Sequence, residues 1–336
     1  MRVLILSHGD VLAALPPAVC ADAMAAVLAA HARGETYLPL RSVLMPPGAA
    51  GLMGLMPSWR GGRDGGPAVF SLKAICIMPG NPARGLDAHQ GLVMLFDGET
   101  GEPTAILDAA AVTAVRTAAV TAVATGLLAR DDARVLAILG AGTQGHAHLR
   151  ALAGVRGWGQ VRIFAPTRAH AGDLAARAGA IAPALAGADL TVAASAAEAV
   201  RGADVVVAAT NSAEPVLRRD WLAPGAHVNA VGASTLRARE LDTATVAASA
   251  LFCDSRESLR HEAGEFQRAI AEGAIADEEH VRAELGEVLA GMAPGRTGPG
   301  ELTLFRSLGI AVEDLAAAQT AVAAARAQGL GTEVDL

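Results

Sequence analysis

Two textures of apolar and polar positions divide the chain. In the first third, a helical stretch over residues 18–32 ends near Gly34. Short apolar runs follow at 37–45, 51–56, 68–78 and 92–97, separated by glycine and proline punctuation that includes Gly61-Gly62 and Gly65-Gly66. Runs of that length between turn residues predict strands. Asp97-Gly98-Glu99-Thr100-Gly101, set between 92–96 and 103–107, predicts a hairpin turn, so this region reads as a mostly antiparallel sheet. An alanine-rich helix is predicted over 109–130, stopped by Asp131-Asp132. Beyond it the texture changes. β-Branched runs at 135–139, 161–164, 205–210, 227–231 and 251–254 alternate with helical segments at the βαβ period, the pattern of an open parallel sheet with helices on both faces. A last alanine-rich helix over 312–327 is expected to pack back on the first domain, because the parallel sheet is already complete. The predicted fold class is α/β: a mixed α/β domain over 1–115, completed by 312–336, and a Rossmann-type doubly wound sheet over 116–311.

Composition narrows the picture. The 336 residues agree with two domains at about 150 residues each. Hydrophobic residues make up 52% but aromatics only 3%, so the apolar character comes largely from alanine. Polar or charged residues are read as interrupting every apolar run before it reaches the length of a lipid-facing span. The apolar patch at 3–6, followed by His8 and Asp10, is too brief for a secretory signal. Cys20, Cys76 and Cys253 lie far apart, with neither a disulfide framework nor a metal spacing. A net charge of -7 argues against nucleic-acid binding. The expectation is a cytoplasmic protein with no membrane, metal or nucleic-acid partner. One count stands out: of 27 basic side chains only Lys73 is a lysine. Arginine stays charged, whereas a buried lysine shifts its pKa and can transfer a proton. Composition alone leaves chance survival and chemistry equally open.

The run at 135–139 leads directly into Gly140-Ala141-Gly142-Thr143-Gln144-Gly145 and then a helical stretch. This is G-x-G-x-x-G in its strand–turn–helix context. Gly140 permits the tight turn, Gly142 lets the backbone approach a pyrophosphate, and Gly145 allows close helix–strand packing, while the helix N-terminus supplies amides to the phosphates. The second strand discriminates between cofactors. NAD sites place a carboxylate at its end for the ribose 2′-hydroxyl. Here the residues are Ala165-Pro166-Thr167-Arg168, with no acid in reach; Thr167 and Arg168 suit a 2′-phosphate, which favours NADP over NAD. Thr210-Asn211 and Val231-Gly232-Ala233-Ser234 fall at later strand ends, the edge where open α/β sheets bind ligands, although ordinary loop chemistry reads the same way.

On the substrate side, Arg41, Lys73 and Arg116 are cations in apolar settings, the first two read as strand residues and the third on the long helix. Each is costly unless an anion meets it. Separate salt bridges or snorkelling side chains explain each alone; jointly they point to a carboxylate clamp. At these residues the chain resembles the ornithine cyclodeaminase/mu-crystallin family. The likeness runs nearly end to end. It is carried by Tyr37-Leu38-Pro39-Leu40-Arg41, Ser71-Leu72-Lys73, the fingerprint, Asn229-Ala230-Val231-Gly232-Ala233, Arg239-Glu240-Leu241-Asp242, Cys253-Asp254-Ser255-Arg256 and Glu301-Leu302-Thr303-Leu304-Phe305-Arg306-Ser307-Leu308-Gly309. The resemblance implies a homodimer whose first domain both binds substrate and dimerises. It also implies that Arg41, Lys73 and Arg116 hold the substrate carboxylate beside the nicotinamide.

That family includes cyclodeaminases, alanine and other amino-acid dehydrogenases, and imino-acid reductases. Its deaminases carry an aspartate where this chain has Ser234, and a lone hydroxyl is no general base near neutral pH. Mu-crystallin resembles this chain in having a serine there. The expected activity is therefore NADPH-dependent reduction of an α-imino carboxylate, a small anionic substrate. The best fit is a cyclic ketimine such as Δ1-pyrroline-2-carboxylate or Δ1-piperideine-2-carboxylate. Lys73 and Ser234 are the expected catalytic residues, Lys73 relaying a proton to the imine nitrogen and Ser234 hydrogen-bonding it. An amino-acid dehydrogenase, an ornithine cyclodeaminase and a non-catalytic NADPH-binding protein are the alternatives. Trp59, Arg60 and the glycines from Gly61 to Gly66 either line the pocket or form a surface turn.

Overall fold

The alternation of the first third builds a mixed sheet. The computed structural model describes residues 2–62 and 67–336, so the part of the glycine-rich turn at 63–66 lies outside the described residues. The chain divides into two units, Met1–Arg116 with Gly309–Leu336, and Thr117–Leu308.

The first unit begins with strand β1 (Arg2–Leu6) and helices α1 (His8–Ala14) and α2 (Pro17–Ala32). Strands β2 (Thr36–Tyr37), β3 (Ser42–Leu44), β4 (Leu52–Arg60), β5 (Val69–Ile77), β6 (His89–Asp97) and β7 (Pro103–Asp108) follow, leading into α3 (Ala109–Leu128). The run expected as one strand at 37–45 is split. Pro39 has no N–H for a ladder, so Arg41 lies in the irregular connection between β2 and β3 rather than in a strand interior. Asp97 closes the β6–β7 hairpin by accepting from the Glu99 and Thr100 amides at 2.9 and 2.8 Å. The β1–β7 pairing is parallel, and β4 to β7 pair antiparallel.

Strand pleating places Met56, Lys73, Ile75, Val93 and Leu95 on the buried face of this sheet. Helix α11 (Ala311–Gln328) covers that face, where the Ser58 hydroxyl donates to the Ala311 carbonyl at 3.2 Å. Alanines fill much of both α2 and α11, and small side chains let the two helices approach closely.

The second unit is an eight-stranded, all-parallel sheet. Its elements are β8 (Val135–Leu139), α4 (Thr143–Leu152), β9 (Gln160–Phe164), α5 (Arg168–Ile181), β10 (Asp189–Val192), α6 (Ala196–Val200), β11 (Val205–Ala208) and β12 (His227–Ala230). They continue with α7 (Thr243–Ala248), β13 (Ala250–Cys253), α8 (Arg256–Glu262), α9 (Gly264–Ala271), β14 (Val281–Glu284), α10 (Leu285–Leu289) and β15 (Thr303–Arg306). The strand order is β10-β9-β8-β11-β12-β15-β13-β14, which is doubly wound about β8. The chain closes in the first unit with α11 (Ala311–Gln328) and β16 (Thr332–Asp335), the latter antiparallel to β1. Four of these strands, β10, β14, β15 and β16, are absent from the expected pattern because polar residues make up half or more of each.

The expectation that polar or charged residues interrupt every apolar run does not hold for α3. Arg116 is the single charged residue of α3, so this helix is long and apolar enough to cross a membrane by composition. Some 78% of its most apolar window is buried inside the protein, the mark of a core helix.

Candidate active site

Burying Lys73 requires an anion, and the fold supplies one from the far end of the chain. Lys73 sits in mid-β5 with 2% of its surface exposed. Its Nζ lies 2.7 Å from Asp314 Oδ2, in the first turn of α11. Arg116, from α3, is 5% exposed and pairs with both acids of that turn. Its Nε is 3.0 Å from Asp314 Oδ1 and its Nη1 is 2.8 Å from Glu313 Oε2. Arg41 joins the group by donating from Nη2 to the Gly309 carbonyl at 2.9 Å. Gly309 has φ +78°, and a Cβ there would lie 2.4 Å from Arg116 Nη1, so only glycine lets the chain turn into α11 beside these cations.

This arrangement corrects the picture of cations met only by substrate. Lys73 and Arg116 already face carboxylates of the protein. Among the five side chains, three positive and two negative formal charges leave the cluster cationic. Glu313 and Asp314 were missed because two acids opening a helix read as ordinary complements to its positive end. Their signal was their place in an otherwise alanine-rich helix bound for the sheet that carries Lys73.

The energetics follow from burial. Burial pulls the Lys73 ammonium down to about 8, against the opposing pull of Asp314, and Arg116 and Arg41 lower it further. Burial would raise Asp314, yet Arg116 and Lys73 outweigh it and hold that carboxyl below its ordinary value. Lys73 can therefore exchange a proton near neutral pH while Asp314 stays ionised.

The fingerprint and its companions gather in the second unit, at the carboxyl edge of the parallel sheet. Gly140 has φ +111°, and a Cβ there would lie 2.3 Å from the Ala209 carbonyl oxygen. A Cβ on Gly145 would lie 2.2 Å from the Gly140 carbonyl oxygen, whereas one on Gly142 would meet open space. Gly142 is the N-cap of α4 and offers no side-chain cap, and it and Thr143 are exposed, so the start of the helix has backbone amides without a side-chain capping partner. Gln144 is half-buried behind it and its carbonyl accepts from His148 at 2.7 Å. These residues fit a dinucleotide pyrophosphate. Thr167 caps α5 without a side-chain capping bond, and the exposed Arg168 opens that helix, with no acid in its first turn. Asn211 is exposed after β11, while Val231 and the half-buried Ser234 follow β12.

Thr210 is already occupied. Its amide and hydroxyl both donate to Glu240, at 2.6 and 2.8 Å. Glu240 is fully buried, and its place in the run Arg239-Glu240-Leu241-Asp242 gives no sign of this contact. No group of metal-ligating side chains occurs among the described residues.

Comparison with known proteins fits this geometry. The model of the Ornithine cyclodeaminase/mu-crystallin family matches residues 2–328. Ketimine reductase mu-crystallin of Mus musculus is 36% identical over 286 residues, which cover 85% of this chain and 84% of that protein. The structure of Thermococcus litoralis Δ1-pyrroline-2-carboxylate reductase, in complex with NADH and L-proline, is similar with a TM-score of 0.91 at 32% identity, over 98% of this chain and all 100% of that one. An archaeal alanine dehydrogenase dimer with bound NAD also gives 0.91, at 31% identity and 100% coverage of both chains.

The charge cluster makes a direct prediction about stability. Asp314→Asn leaves Lys73 and Arg116 short of a buried anion and is expected to destabilise the protein by about 3–5 kcal/mol in urea unfolding. A loss below about 1 kcal/mol would show that the pairing with α11 does not hold the first unit together.

Proposed function

Because the chain belongs to the ornithine cyclodeaminase/mu-crystallin family, we propose that it is an NADPH-dependent reductase of an α-imino carboxylate, yielding the L-amino acid. A cyclic ketimine such as Δ1-pyrroline-2-carboxylate or Δ1-piperideine-2-carboxylate is the best-fitting substrate. The observation that carries this reading is the buried cationic cluster of Lys73, Arg116 and Arg41, in a chain with a serine rather than an acid at 234. In this reading Arg41 and Arg116 orient the substrate carboxylate and Lys73 shares it. Lys73, with its lowered pKa, gives a proton to the imine nitrogen, and Ser234 donates a hydrogen bond to the same atom. A nicotinamide dinucleotide, when bound, would supply hydride chemistry. Gly140, Gly142, Thr143, Gln144 and Gly145 would hold its pyrophosphate, with Asn211, Val231 and the Thr210 backbone nearer the nicotinamide.

The preference for NADP rests on α5. A cation at a helix N-terminus opposes the helix dipole, and it becomes favourable once an anion sits between them. A 2′-phosphate at Thr167 and Arg168 is such an anion. A second reading, an amino-acid dehydrogenase, is favoured by the similarity to the archaeal alanine dehydrogenase. Reduction that requires added ammonia would select it.

The sheet of the first unit supports a homodimer. On the face away from α11 it exposes Met53, Phe70 and Leu92, each 38–47% accessible, among half-buried Trp59, Met94 and Phe96. A continuous apolar sheet face of this kind favours pairing with a second copy.

Four outcomes test the proposal. Lys73→Ala should lower kcat/KM for cyclic ketimine reduction by about 100-fold or more, followed as NADPH oxidation. Wild-type kcat/KM should fall as pH rises through about 8, where the ammonium of lowered pKa loses its proton, and Lys73→Arg should lack that alkaline limb. Unchanged turnover in Lys73→Ala would refute the assignment. Arg168→Ala should raise the KM for NADPH by roughly tenfold to 100-fold and leave NADH little affected. In sedimentation the chain should run as a dimer, and Phe70→Asp with Leu92→Asp should shift it to monomer.

A further inference from the structure

Glu240 is a carboxylate surrounded by donors. Its Oε1 accepts from the Thr210 amide at 2.6 Å and the Thr210 hydroxyl at 2.8 Å. Its Oε2 accepts from the Gly232 amide at 2.6 Å and the Ala233 amide at 3.2 Å. Thr210 follows β11, and Gly232 and Ala233 follow β12, so one side chain fastens together two neighbouring loops at the carboxyl edge of the parallel sheet. The backbone of Glu240 is itself fixed, because its carbonyl accepts from the Val216 and Leu217 amides at 2.8 and 3.0 Å.

The loops that it joins are packed without slack. A Cβ on Gly232 would lie 1.7 Å from the Thr210 carbonyl oxygen. The Cβ position of Gly140, the first fingerprint glycine, lies 3.5 Å from Thr210 Cγ2 and 2.3 Å from the Ala209 carbonyl oxygen. Displacement of Thr210 would therefore reach the pyrophosphate turn on one side and the peptide leading into Ser234 on the other.

We propose that Glu240, as an anion, is a positioning residue for the nicotinamide end of the cofactor: it holds the loops after β11 and β12 in the spacing that the dinucleotide needs. The inference rests on the functional reading above and adds a residue to it. The requirement for the anion is geometric. Three of the four neighbours are amides that can only donate, and the Thr210 hydroxyl already accepts from the Ser212 amide at 3.4 Å, which aims its hydrogen at Glu240. A proton on either oxygen would confront a donor and release one loop. The charged groups that bear on Glu240 are Arg306, from β15, and Glu265, from α9. Those two are paired with each other at 2.8 Å, and Arg306 also donates to the Ala230 carbonyl at 2.8 Å, at the end of β12. Burial pushes the Glu240 carboxyl up to about 7; Arg306 and the Thr210 donors pull it down, and Glu265 pushes it up. The loop clamp is thus gained as pH rises through the neutral range and lost as it falls.

The test measures dinucleotide affinity of the full-length wild type and Glu240→Gln between pH 5.5 and 8.5, by nicotinamide fluorescence. NADH is titrated beside NADPH because the 2′-phosphate of NADPH ionises in the same range. The amide nitrogen of glutamine meets the same wall of donors, so the variant mimics the released state at every pH. Wild-type affinity for both cofactors should weaken roughly tenfold on going from pH 8.5 to 5.5. The variant should stay flat at the weaker level. Amide hydrogen exchange without ligand, expressed as protection factors against the intrinsic rate at each pH, should show lower protection at 210–212 and 232–234 in the variant, and in the wild type at low pH. That measurement decides the question even where the variant is unstable. Wild-type affinity that is independent of pH, or a folded variant with the wild-type profile, overturns the role of Glu240. Failure of the wild type to bind either dinucleotide at any pH overturns the functional reading itself, and this inference with it.

Discussion

The contact between Lys73 and Asp314 is the constraint on which the first unit depends. An ammonium in the middle of an apolar sheet is tolerable only with a carboxylate in contact. The carboxylate that provides it is 241 positions away in sequence, on the helix that returns from the end of the second unit. That requirement explains the aspartate in the first turn of α11; Glu313 beside it meets Arg116, whose guanidinium also crowds the left-handed Gly309. The same pairing keeps the lysine poised. Burial lowers its proton affinity and Asp314 opposes that fall, which places the ammonium within reach of neutral-pH chemistry.

The second unit uses the same device in a different form. Its carboxyl edge is irregular backbone, which no ladder can order, and Glu240 supplies four acceptor contacts that do so. Both units bury a carboxylate among the residues proposed to bind substrate or cofactor. In one the carboxylate meets cations, and in the other it meets peptide and hydroxyl donors. A buried carboxylate that lacks its partners is costly, so each becomes a strong determinant of local geometry.

Legibility in the sequence followed the range of the interactions involved. The strand–turn–helix of Gly140 to Gly145 was readable because each glycine answers a local steric demand, and the open space at Gly142 contrasts with the crowding at Gly140 and Gly145. The βαβ alternation was readable because five of its strands are hydrophobic runs; β10, β14 and β15, each half polar, gave no comparable pattern, and neither did β16 in the first unit. Arg41 was misplaced in a strand although Pro39 stood two residues before it, because apolar neighbours outweighed a missing donor. Lys73 was conspicuous as the one lysine, yet nothing near it in sequence named its partner.

The sequence by itself therefore determined the α/β class, the dinucleotide turn, and the cations that had to be neutralised, since these depend on local periodicity, glycine sterics and the cost of burying charge. Only the tertiary structure decided which anions meet those cations. It also decided that Thr210 gives its donors to Glu240, and that a helix as apolar as α3 is satisfied by packing inside the protein. The physical reason is that ion pairs and hydrogen bonds act over a few ångströms in space and are indifferent to distance along the chain. Glu313, Asp314 and Glu240 looked like ordinary polar positions until folding removed water from around them.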